Sequence, residues 1–451
     1  MVRLLGLLTA AWYAISYVSA VSSTGNSVLV ILEPKLKQED YSTFFNGLKK
    51  RGYKLTFRSP KDVSPAITEH DVPSFSHVIF FAPNSKSFAN DITPQSLVKL
   101  LTLNTNILFA LSPKATPISA LAAEFGLSLP PPNTPLVSHW PARPLPHTTL
   151  PISLAKSHPL ITPGIAPILY SGINFAIGDN PQVFPILNAP VESFAADSES
   201  DDNAESVAEM ADRGGEGLWA GNNMAVVAGF QVAGGARAAW VGGLSVFSDE
   251  FANGFLAPEQ KTGNARFAQE LARWTFQETH VYRIDSTSHR LASTPAHNAT
   301  TPPTKYTVKD DIVYEIQVSK FNGEGKVGQW EPYSDIDDLQ LDFTMLDPHV
   351  RVDLPAVKAE PGVYRVQFRA PDRHGVFKFI VDWRRKGHTY LESSTTVSVV
   401  PPRHDGYPRF LSAAWPYYAG AISTSVAFML FCTLWLLGDN SQKVKSKKKA
   451  E

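Results

Sequence analysis

The segment VLVILEPKLKQEDYSTFFNGLKKRG, residues 28–52, decides the fold of the N-terminal part of the chain. Residues 28–32 are an unbroken apolar run with β-branched members, which predicts a strand buried on both faces. Apolar residues then recur at the i, i+3, i+4, i+7 spacing of a helix, and a glycine stands where that helix should end: Tyr41, Phe44, Phe45, Leu48 and Gly52. The segment therefore predicts a strand followed by a helix.

The pattern of strand and helix repeats further along the chain. Residues 55–57, 78–81 and 107–111 have the apolar character of strands. Thr93-Pro94 and Thr116-Pro117 each combine an N-cap residue with proline at the first helical position, which predicts two helix starts. Buried strands separated by helices favour a parallel sheet with right-handed crossovers.

We therefore expect an α/β region over residues 21–279, built on a parallel sheet and similar in type to amidotransferase-like folds. The stretch 130–151 is rich in proline and is expected to connect two subdomains, about 21–130 and 150–279.

The apolar period changes to two after Tyr306. Apolar and polar residues alternate in five segments: 312–318, 339–345, 364–368, 377–383 and 395–399. This alternation predicts an antiparallel β-sandwich over residues 304–402, with residues 280–303 as the linker that joins it to the α/β region.

The N-terminus has the pattern of a cleavable secretory signal over residues 1–20. A charged start at Arg3 is followed by an apolar stretch over residues 4–12 and by small residues at 18–20, where a signal peptidase would cut. The mature chain is therefore expected to begin near Val21.

A second apolar segment lies near the C-terminus. Residues 417–437 carry no charge, and a helix of that length spans a hydrocarbon core of about 30 Å. Trp415 and Trp435 mark the two membrane interfaces, and lysines from Lys443 onward place the tail, residues 438–451, in the cytosol. The prediction is a single-pass type I membrane protein with its N-terminal regions in the lumen.

Three candidate sites follow from this topology. Asn298-Ala299-Thr300 is an acceptor sequence for N-glycosylation. Lys448 and Lys449 stand at the C-terminal offsets of a dilysine signal for retrieval to the endoplasmic reticulum. Small residues in the membrane helix favour close packing against partner helices: Gly420, Ala421, Ser423, Ser425 and Ala427.

Composition excludes several classes of function. The chain of 451 residues has 41 Lys plus Arg against 42 Asp plus Glu, so it lacks the basic field that gathers nucleic acid, and no nucleic-acid partner is expected. Cys432 is the only cysteine, which excludes an internal disulfide framework, cysteine-based zinc sites and CxxC redox chemistry. It also lies in the predicted membrane helix, so cysteine catalysis in the lumen is excluded. No cofactor or metal is expected in this chain.

Two motifs resemble catalytic or binding signatures but favour simpler interpretations. The glycines at 323, 325 and 328 match a dinucleotide-binding loop, yet they lie between strands of period two and predict a hairpin turn. Asp249 and Glu250 could be paired catalytic carboxylates, but adjacent acids at the end of a strand are more often loop or cap residues.

Two further alternatives concern acids and serines. Residues 191–212 carry eight acids and neither Lys nor Arg, which favours a solvated loop over a calcium site because the EF-hand spacing is absent. A Ser-His-Asp triad stays open, since such triads are assembled from distant positions.

Three blocks of sequence carry a resemblance to a known family. They are residues 28–32 with the following helix; residues 228–249, including Ala228-Gly229-Phe230-Gln231, Arg237, Gly242 and Phe247-Ser248-Asp249; and residues 375–418, including Gly375-Val376-Phe377, Val381-Asp382, Ser394-Thr395 and Pro416-Tyr417-Tyr418. The chain resembles the family of non-catalytic forty-eight-kilodalton subunits of the endoplasmic-reticulum oligosaccharyltransferase, known in fungi as the wheat-germ-agglutinin-binding subunit. The departures from the family cluster between residues 130 and 212.

The resemblance implies an essential or accessory subunit that is not itself catalytic. The complex transfers a preassembled oligosaccharide from dolichyl diphosphate to the asparagine of Asn-x-Ser/Thr in nascent polypeptides. The divalent metal and the dolichyl-diphosphate oligosaccharide are then expected in a separate, multi-spanning catalytic subunit. The implied partners are that subunit, ribophorin-like subunits and nascent polypeptides, and the implied location is the endoplasmic-reticulum membrane.

Two other functions stay open from the residues alone. One is a membrane-anchored luminal cargo receptor or chaperone that cycles by dilysine retrieval, and the other is an anchored hydrolase. A receptor would associate with many exported clients, whereas a hydrolase would lose its activity on substitution of one serine or histidine.

Overall fold

The computed structural model describes residues 21–140, 146–154, 159–196, 219–257, 260–295, 301–323, 328–406 and 412–447. The predicted secretory signal at residues 1–20 and most of the acidic stretch 191–212 lie outside the described residues.

The N-terminal unit combines one large sheet, several two-stranded sheets and five helices among its described residues. Its strands are β1 (Ser27–Leu32), β2 (Lys54–Arg58), β3 (Thr68–Glu69), β4 (Val72–Pro73), β5 (His77–Phe81), β6 (Asn106–Ala110), β7 (Leu127–Ser128), β8 (Leu136–Val137), β9 (Leu150–Ile152), β10 (Ile168–Tyr170), β11 (Ala176–Ile177), β12 (Val183–Asn188), β13 (Phe194–Ala195), β14 (Ala225–Gln231), β15 (Arg237–Val241), β16 (Phe255–Ala257) and β17 (Gln260–Lys261). Its helices are α1 (Ser42–Lys50), α2 (Pro94–Thr102), α3 (Pro117–Glu124), α4 (Asp249–Ala252) and α5 (Asn264–Thr275).

The two predicted helix starts at Thr93-Pro94 and Thr116-Pro117 are confirmed. The Thr93 hydroxyl accepts a hydrogen bond from the Ser96 amide at 3.1 Å, and the Thr116 hydroxyl accepts one from the Ser119 amide at 3.4 Å. In both helices the serine hydroxyl bonds back to the N-cap residue, so two amides without a helical partner are satisfied at each start. Helix α1 ends two residues before Gly52, whose φ of +101° favours glycine.

The predicted parallel sheet is present over five neighbouring strands, and the large sheet is antiparallel at one end. Its order is β12-β14-β15-β6-β5-β1-β2; the neighbours from β15 to β2 are parallel, whereas β14 pairs antiparallel with both β15 and β12. Strand β14 runs antiparallel to β15 because the connection over residues 232–236 is long enough for a hairpin but too short for a crossover. Strands from both expected subdomains therefore share one sheet.

Hydrophobic side chains cover both faces of this sheet, as the unbroken apolar run in β1 predicts. Val28 and Val30 face the cluster that includes residues of α1 and α5, and Leu29 and Ile31 face the cluster that includes residues of α2 and α3. All four are fully buried, so β1 lies in the middle layer of a three-layered α/β unit, covered on both faces.

The C-terminal unit contains two sheets. Its strands are β18 (Tyr282–Leu291), β19 (Lys305–Thr307), β20 (Asp311–Asn322), β21 (Gln329–Pro332), β22 (Gln340–Met345), β23 (Asp347–Asp353), β24 (Val363–Arg369), β25 (Gly375–Trp383) and β26 (Leu391–Val400). One sheet has the order β18-β20-β21 with β24 also paired to β20, and the other has the order β19-β26-β25-β22-β23. The pairs are antiparallel except β19 with β26.

The inward-facing residues of the two sheets share one hydrophobic cluster. The ring centroids of Tyr314 on one sheet and Phe379 on the other lie 5.2 Å apart, and those of Phe368 and Phe343 lie 5.3 Å apart. The five segments of period-two alternation all correspond to strands, namely β20, β22, β24, β25 and β26.

The segment 280–303, expected as a linker, contains a long strand. Strand β18 pairs with β20 from Tyr282 to Leu291, with one irregularity between Ile284 and Ser286. The sequence did not predict this strand. Only one of its faces meets the core, and polar residues stand at adjacent as well as alternate positions, so the alternation of a strand is not apparent.

Strand β23, at the edge of its sheet, contains few apolar residues. Asp347, His349, Arg351 and Asp353 are all exposed, and Pro348 lies at its second position. Proline and charged side chains are typical of sheet edges that do not pair further.

The C-terminal helix α6 (Trp415–Lys447) contains the predicted membrane segment. Ser412–Leu437 is long and apolar enough to cross a membrane, with a mean hydropathy of 1.8, and none of its most apolar stretch is buried against the rest of the chain. An exposed helix of this character is what a membrane segment requires and a core helix does not.

Candidate functional site

Asp249 serves as a cap for a helix, as the cap interpretation predicts. Its Oδ2 accepts hydrogen bonds from the Ser42 amide at 2.9 Å and the Ser42 hydroxyl at 2.6 Å, and its Oδ1 accepts from the Thr43 amide at 2.8 Å. Burial alone would raise the pKa of Asp249, but these hydrogen bonds lower the pKa below its ordinary value. The carboxylate therefore stabilises the positive end of α1.

The glycine motif lies in a hairpin, as predicted. Strands β20 and β21 pair antiparallel up to Asn322 and Gln329, and Gly323 and Gly328 follow and precede them. Gly325 lies outside the described residues. Among the residues that the structure describes, we find no group of three His, Cys, Asp or Glu side chains that could hold a metal ion.

Two buried histidines bear on the Ser-His-Asp triad that the sequence leaves open, and the polar partners described for them are not serines. His77 Nε2 lies 3.0 Å from the Gly25 carbonyl oxygen, and Asn106 Nδ2 lies 3.2 Å from its Nδ1. Burial lowers the pKa of His77 to about 3, so the ring is neutral at physiological pH. His289 Nδ1 lies 2.8 Å from the hydroxyl of Tyr306.

The most developed polar arrangement joins the two units, and Arg237 is at its centre. Arg237 begins β15 and is fully buried. Its guanidinium donates to the carbonyl oxygens of Trp274 at 2.8 Å, Thr279 at 2.8 Å and His280 at 2.6 Å, and more weakly to Thr389 Oγ1 at 3.4 Å. One side chain therefore binds helix α5, the connection to β18 and the loop between β25 and β26.

The charge of Arg237 is retained despite its burial. Burial lowers the pKa of Arg237 to about 9, while Tyr282 nearby opposes that shift. A pKa of about 9 leaves the guanidinium protonated at neutral pH, and its carbon lies 5.2 Å from the centre of the Trp274 ring. Carbonyl dipoles and the aromatic face together solvate the buried cation.

The loop between β25 and β26 docks on the N-terminal unit through its backbone. Trp274 Nε1 donates to the Gly387 carbonyl at 2.9 Å, and Gln231 Nε2 donates to the His388 carbonyl at 2.5 Å. Gly387 has a φ of +80°, and a Cβ there would lie 2.4 Å from Leu160 Cδ2. Both facts require glycine at this contact.

A buried carboxylate forms the second part of this contact between the two units. Glu278 follows α5, and its side chain is 2% exposed. Its Oε1 accepts from Tyr53 at 2.7 Å and also from Arg51, and its Oε2 lies 3.7 Å from Arg273 Nε without a hydrogen-bond partner. Burial and the Glu278 carboxylate raise the pKa of Tyr53 well above its ordinary value, so the phenol stays a donor.

A cavity of about 260 Å³ opens beside Glu278, between the two units. Residues from both units line it: Arg273, Glu278, Thr279, His280, Lys320, Phe321, Asn322, Gly323 and Glu331. We call the arrangement of Arg237, Glu278 and this cavity the junction. It holds the α/β unit and the antiparallel unit in one orientation.

A second cavity of about 260 Å³ lies at the carboxyl ends of β1, β2 and β5, where open α/β sheets commonly bind ligands. Lys35, Lys61 and Lys86 line it together with Glu33 and several serines. Such a group of side chains can attract an anion.

No sequence pattern predicted the junction as a site. Arg237 appeared only within a block of family resemblance, and Glu278 was not singled out. An isolated arginine inside the apolar run of β15 was the available signal, because a buried charge requires dedicated partners.

The predicted site residues divide by whether the structure describes them. Asn298, Lys448 and Lys449 lie outside the described residues. The five small residues of the membrane helix, Gly420, Ala421, Ser423, Ser425 and Ala427, lie in α6 without contacts from either unit. Ser423 and Ser425 donate to the carbonyls of Gly420 and Ala421, so their hydroxyls are satisfied within the helix.

The fold and the junction define a class of protein: a two-unit α/β and antiparallel β protein with one helix able to cross a membrane. Comparison with known families makes this specific. Residues 19–278 match the OST48 N-terminal domain, and residues 294–439 match the OST48 middle domain. The chain belongs to the OST48 family.

Curated relatives agree over nearly the whole length. The chain is 32% identical over 435 residues to the dolichyl-diphosphooligosaccharide–protein glycosyltransferase 48 kDa subunit of Danio rerio, covering 92% of each chain. It is 30% identical to the subunit of that name in Drosophila melanogaster, covering 95% of each chain, and 31% identical to that of Caenorhabditis elegans, covering 92% of each. The family resemblance stated from the sequence is thereby confirmed.

Proposed function

We propose that this chain is a non-catalytic structural subunit of the oligosaccharyltransferase complex of the endoplasmic-reticulum membrane, which carries out protein N-glycosylation. The match of both units to OST48 domains, over residues 19–278 and 294–439, carries this proposal. The chain acts by assembling with other subunits, and it contributes to positioning the acceptor chain or the glycan.

Catalysis is assigned to a partner on physical grounds. Transfer from dolichyl diphosphate takes place at the membrane, and a metal ion that assists it needs acidic ligands beside the membrane-held lipid carrier. Residues 417–437 of this chain carry no charged side chain. We therefore place the divalent metal and the dolichyl-diphosphate oligosaccharide in a separate multi-spanning subunit.

The proposed partners are this catalytic subunit, ribophorin-like subunits and nascent polypeptides. The proposed topology is single-pass type I, with a signal at residues 1–20, both units in the lumen and residues 438–451 in the cytosol. Glycosylation at Asn298 and retrieval through Lys448 and Lys449 belong to the same proposal.

We also propose two finer descriptions of the fold. The shared core between the two C-terminal sheets, with Tyr314 against Phe379, supports a β-sandwich over residues 304–402. The strand order β2-β1-β5-β6 with helices on both faces supports an amidotransferase-like α/β unit.

The experiment that tests the proposed function is affinity purification of the full chain from its own cells in mild detergent. We expect it to recover stoichiometric amounts of a multi-spanning subunit, together with transfer of oligosaccharide to an Asn-x-Thr peptide. Recovery of the chain alone would contradict the proposal. Recovery with diverse exported clients and without transfer activity would favour the cargo receptor.

The membrane helix gives a sharper test of assembly. A Cβ at Gly420 would meet nothing within 4 Å in this chain, so Gly420→Leu should leave the fold of both units unchanged. Because small residues allow helices in lipid to approach closely, we expect this variant to recover about tenfold less of the catalytic subunit, roughly 1.4 kcal/mol. Quantitative immunoblotting of the purified complex measures this.

Met429→Leu is the matched control, because Met429 lies on the opposite side of the helix from Gly420 at 100° per residue. It should recover the subunit as the parent chain does. An equal loss in both variants, or no loss in either, would show that the small-residue surface does not bind a partner helix.

A further inference from the structure

The first residues after the predicted signal are part of the junction. Val21 is 3% exposed and Ser22 is 1% exposed. The Ser23 amide donates to the Gln277 carbonyl at 3.3 Å, and the Thr24 hydroxyl accepts from Asn106 Nδ2 at 3.0 Å. These residues are therefore fixed before the first strand begins, unlike the free end that most chains have.

Val21 itself lies between the two units. Its carbonyl oxygen is 2.8 Å from where a Cβ of Gly323 would stand, and Gly323 belongs to the hairpin of the antiparallel unit. Its side chain approaches Gly52 of the α/β unit, at 3.5 Å from where a Cβ would stand. A side chain at Gly323 would displace Val21, so glycine there permits the contact.

The buried carboxylate of the junction is the nearest acidic neighbour of this segment. A Cβ at Gly323 would also be 3.1 Å from the Cβ of Glu278, so Val21 and Glu278 both lie close to this one glycine. The Tyr53 hydroxyl donates a hydrogen bond to Glu278 Oε1. Glu278 Oε2 is buried without a hydrogen-bond partner.

We propose that the α-ammonium group created at Val21 by signal removal binds Glu278 at the junction, so that processing completes the contact between the two units. Hydrolysis breaks the Ala20–Val21 amide bond, and water supplies the hydroxyl to the Ala20 carbonyl and a proton to the Val21 nitrogen. The nitrogen takes a further proton at neutral pH. Before cleavage the same nitrogen is an uncharged amide, which offers Glu278 no positive charge.

The side-chain charges around the cavity balance before the ammonium group is added. Arg51, Arg273 and Lys320 are balanced by three carboxylates, Glu270, Glu278 and Glu331. A buried carboxylate with one unbonded oxygen gains more from a charge-assisted hydrogen bond than an exposed one does.

The test compares one purified chain before and after release of Val21. The full chain is expressed with a cleavable signal followed by a factor Xa site that ends directly before Val21, and it is purified in detergent. Thermal unfolding and hydrogen exchange at residues 277–282 are measured before and after factor Xa treatment. We expect release to raise the unfolding midpoint by about 3 °C or more and to slow exchange in this segment.

Two variants separate the proposed pair from a general effect of removing a leader. In Glu278→Gln the gain on release should disappear, whereas in Glu124→Gln, at an exposed site far from the junction, it should persist. A third chain carries one glycine between the factor Xa site and Val21. It keeps Glu278 but displaces the charge by one residue, and it should gain little on release.

An equal rise in midpoint for all these chains, or no rise in the parent, would overturn the proposal. The glycine-extended chain decides the matter even if Glu278→Gln fails to fold. The inference rests on the signal at residues 1–20 proposed above, but the result is independent of assembly, because no step in the test requires another subunit or transfer activity.

Discussion

Arg237→Ala is expected to lower the free energy of unfolding by about 4 kcal/mol. The substitution removes the donors to the carbonyls of Trp274, Thr279 and His280, and it leaves a cavity where the guanidinium stood. Each buried carbonyl that loses its partner costs about 1–3 kcal/mol, although relaxation and water entry recover part of the sum. Urea denaturation followed by tryptophan fluorescence measures the change.

Arg237→Lys distinguishes the geometry of the side chain from its charge. A lysine ammonium keeps the charge but cannot reach three carbonyls with the planar fork of arginine, so we expect most of the loss to remain. Arg384→Ala is the control: Arg384 is 58% exposed and pairs with Asp382 and Glu392 at the surface, so its loss should cost less than about 1 kcal/mol. A fully stable Arg237→Lys variant would show that the three carbonyls are not what Arg237 contributes.

Gly242→Ala is expected to destabilise the α/β unit by about 3 kcal/mol or more. Gly242 follows β15, and a Cβ there would lie 2.1 Å from the Ile173 carbonyl oxygen and 2.3 Å from the Tyr170 hydroxyl. The Ile173 amide also donates to the Gly242 carbonyl at 2.9 Å, so neither backbone can move without losing that bond. The yield of folded chain and its thermal midpoint should both fall.

Gly234→Ala is the matched control for this prediction. Gly234 lies in the hairpin between β14 and β15, and a Cβ there would meet nothing within 4 Å. Its substitution should change the midpoint by less than about 1 °C or raise it slightly, because alanine reduces the entropy of the unfolded chain. Similar losses at both glycines would show that the close approach of two backbones at Gly242 does not cause the destabilisation.

Local signals made much of the fold predictable. Capping threonines followed by proline marked α2 and α3, and a continuous apolar run marked β1, because each of these features is decided within a few residues. The direction of β14 was not predicted. It depends on the short connection 232–236, and strand periodicity does not report whether the next strand runs parallel or antiparallel.

The junction could not be derived from sequence for a different reason. Arg237 meets partners 37 to 152 residues away in the chain, and Glu278 meets Arg51 and Tyr53 more than 220 residues away. Spacing rules describe neighbours on one helix or strand, so they carry no information on such pairs. The membrane helix, in contrast, could be predicted, because a sufficiently long stretch of uncharged, apolar residues is enough to indicate it.

The charged outer strand β23 limits how this chain can pair with extended peptides. A bare strand edge offers its amides and carbonyls to any extended peptide, and a polypeptide emerging during synthesis is such a peptide. Pro348 lacks the amide that a new strand would need, and Asp347, Arg351 and Asp353 keep water at this edge. The edge at β23 therefore resists the addition of an extended peptide as a further strand of this sheet.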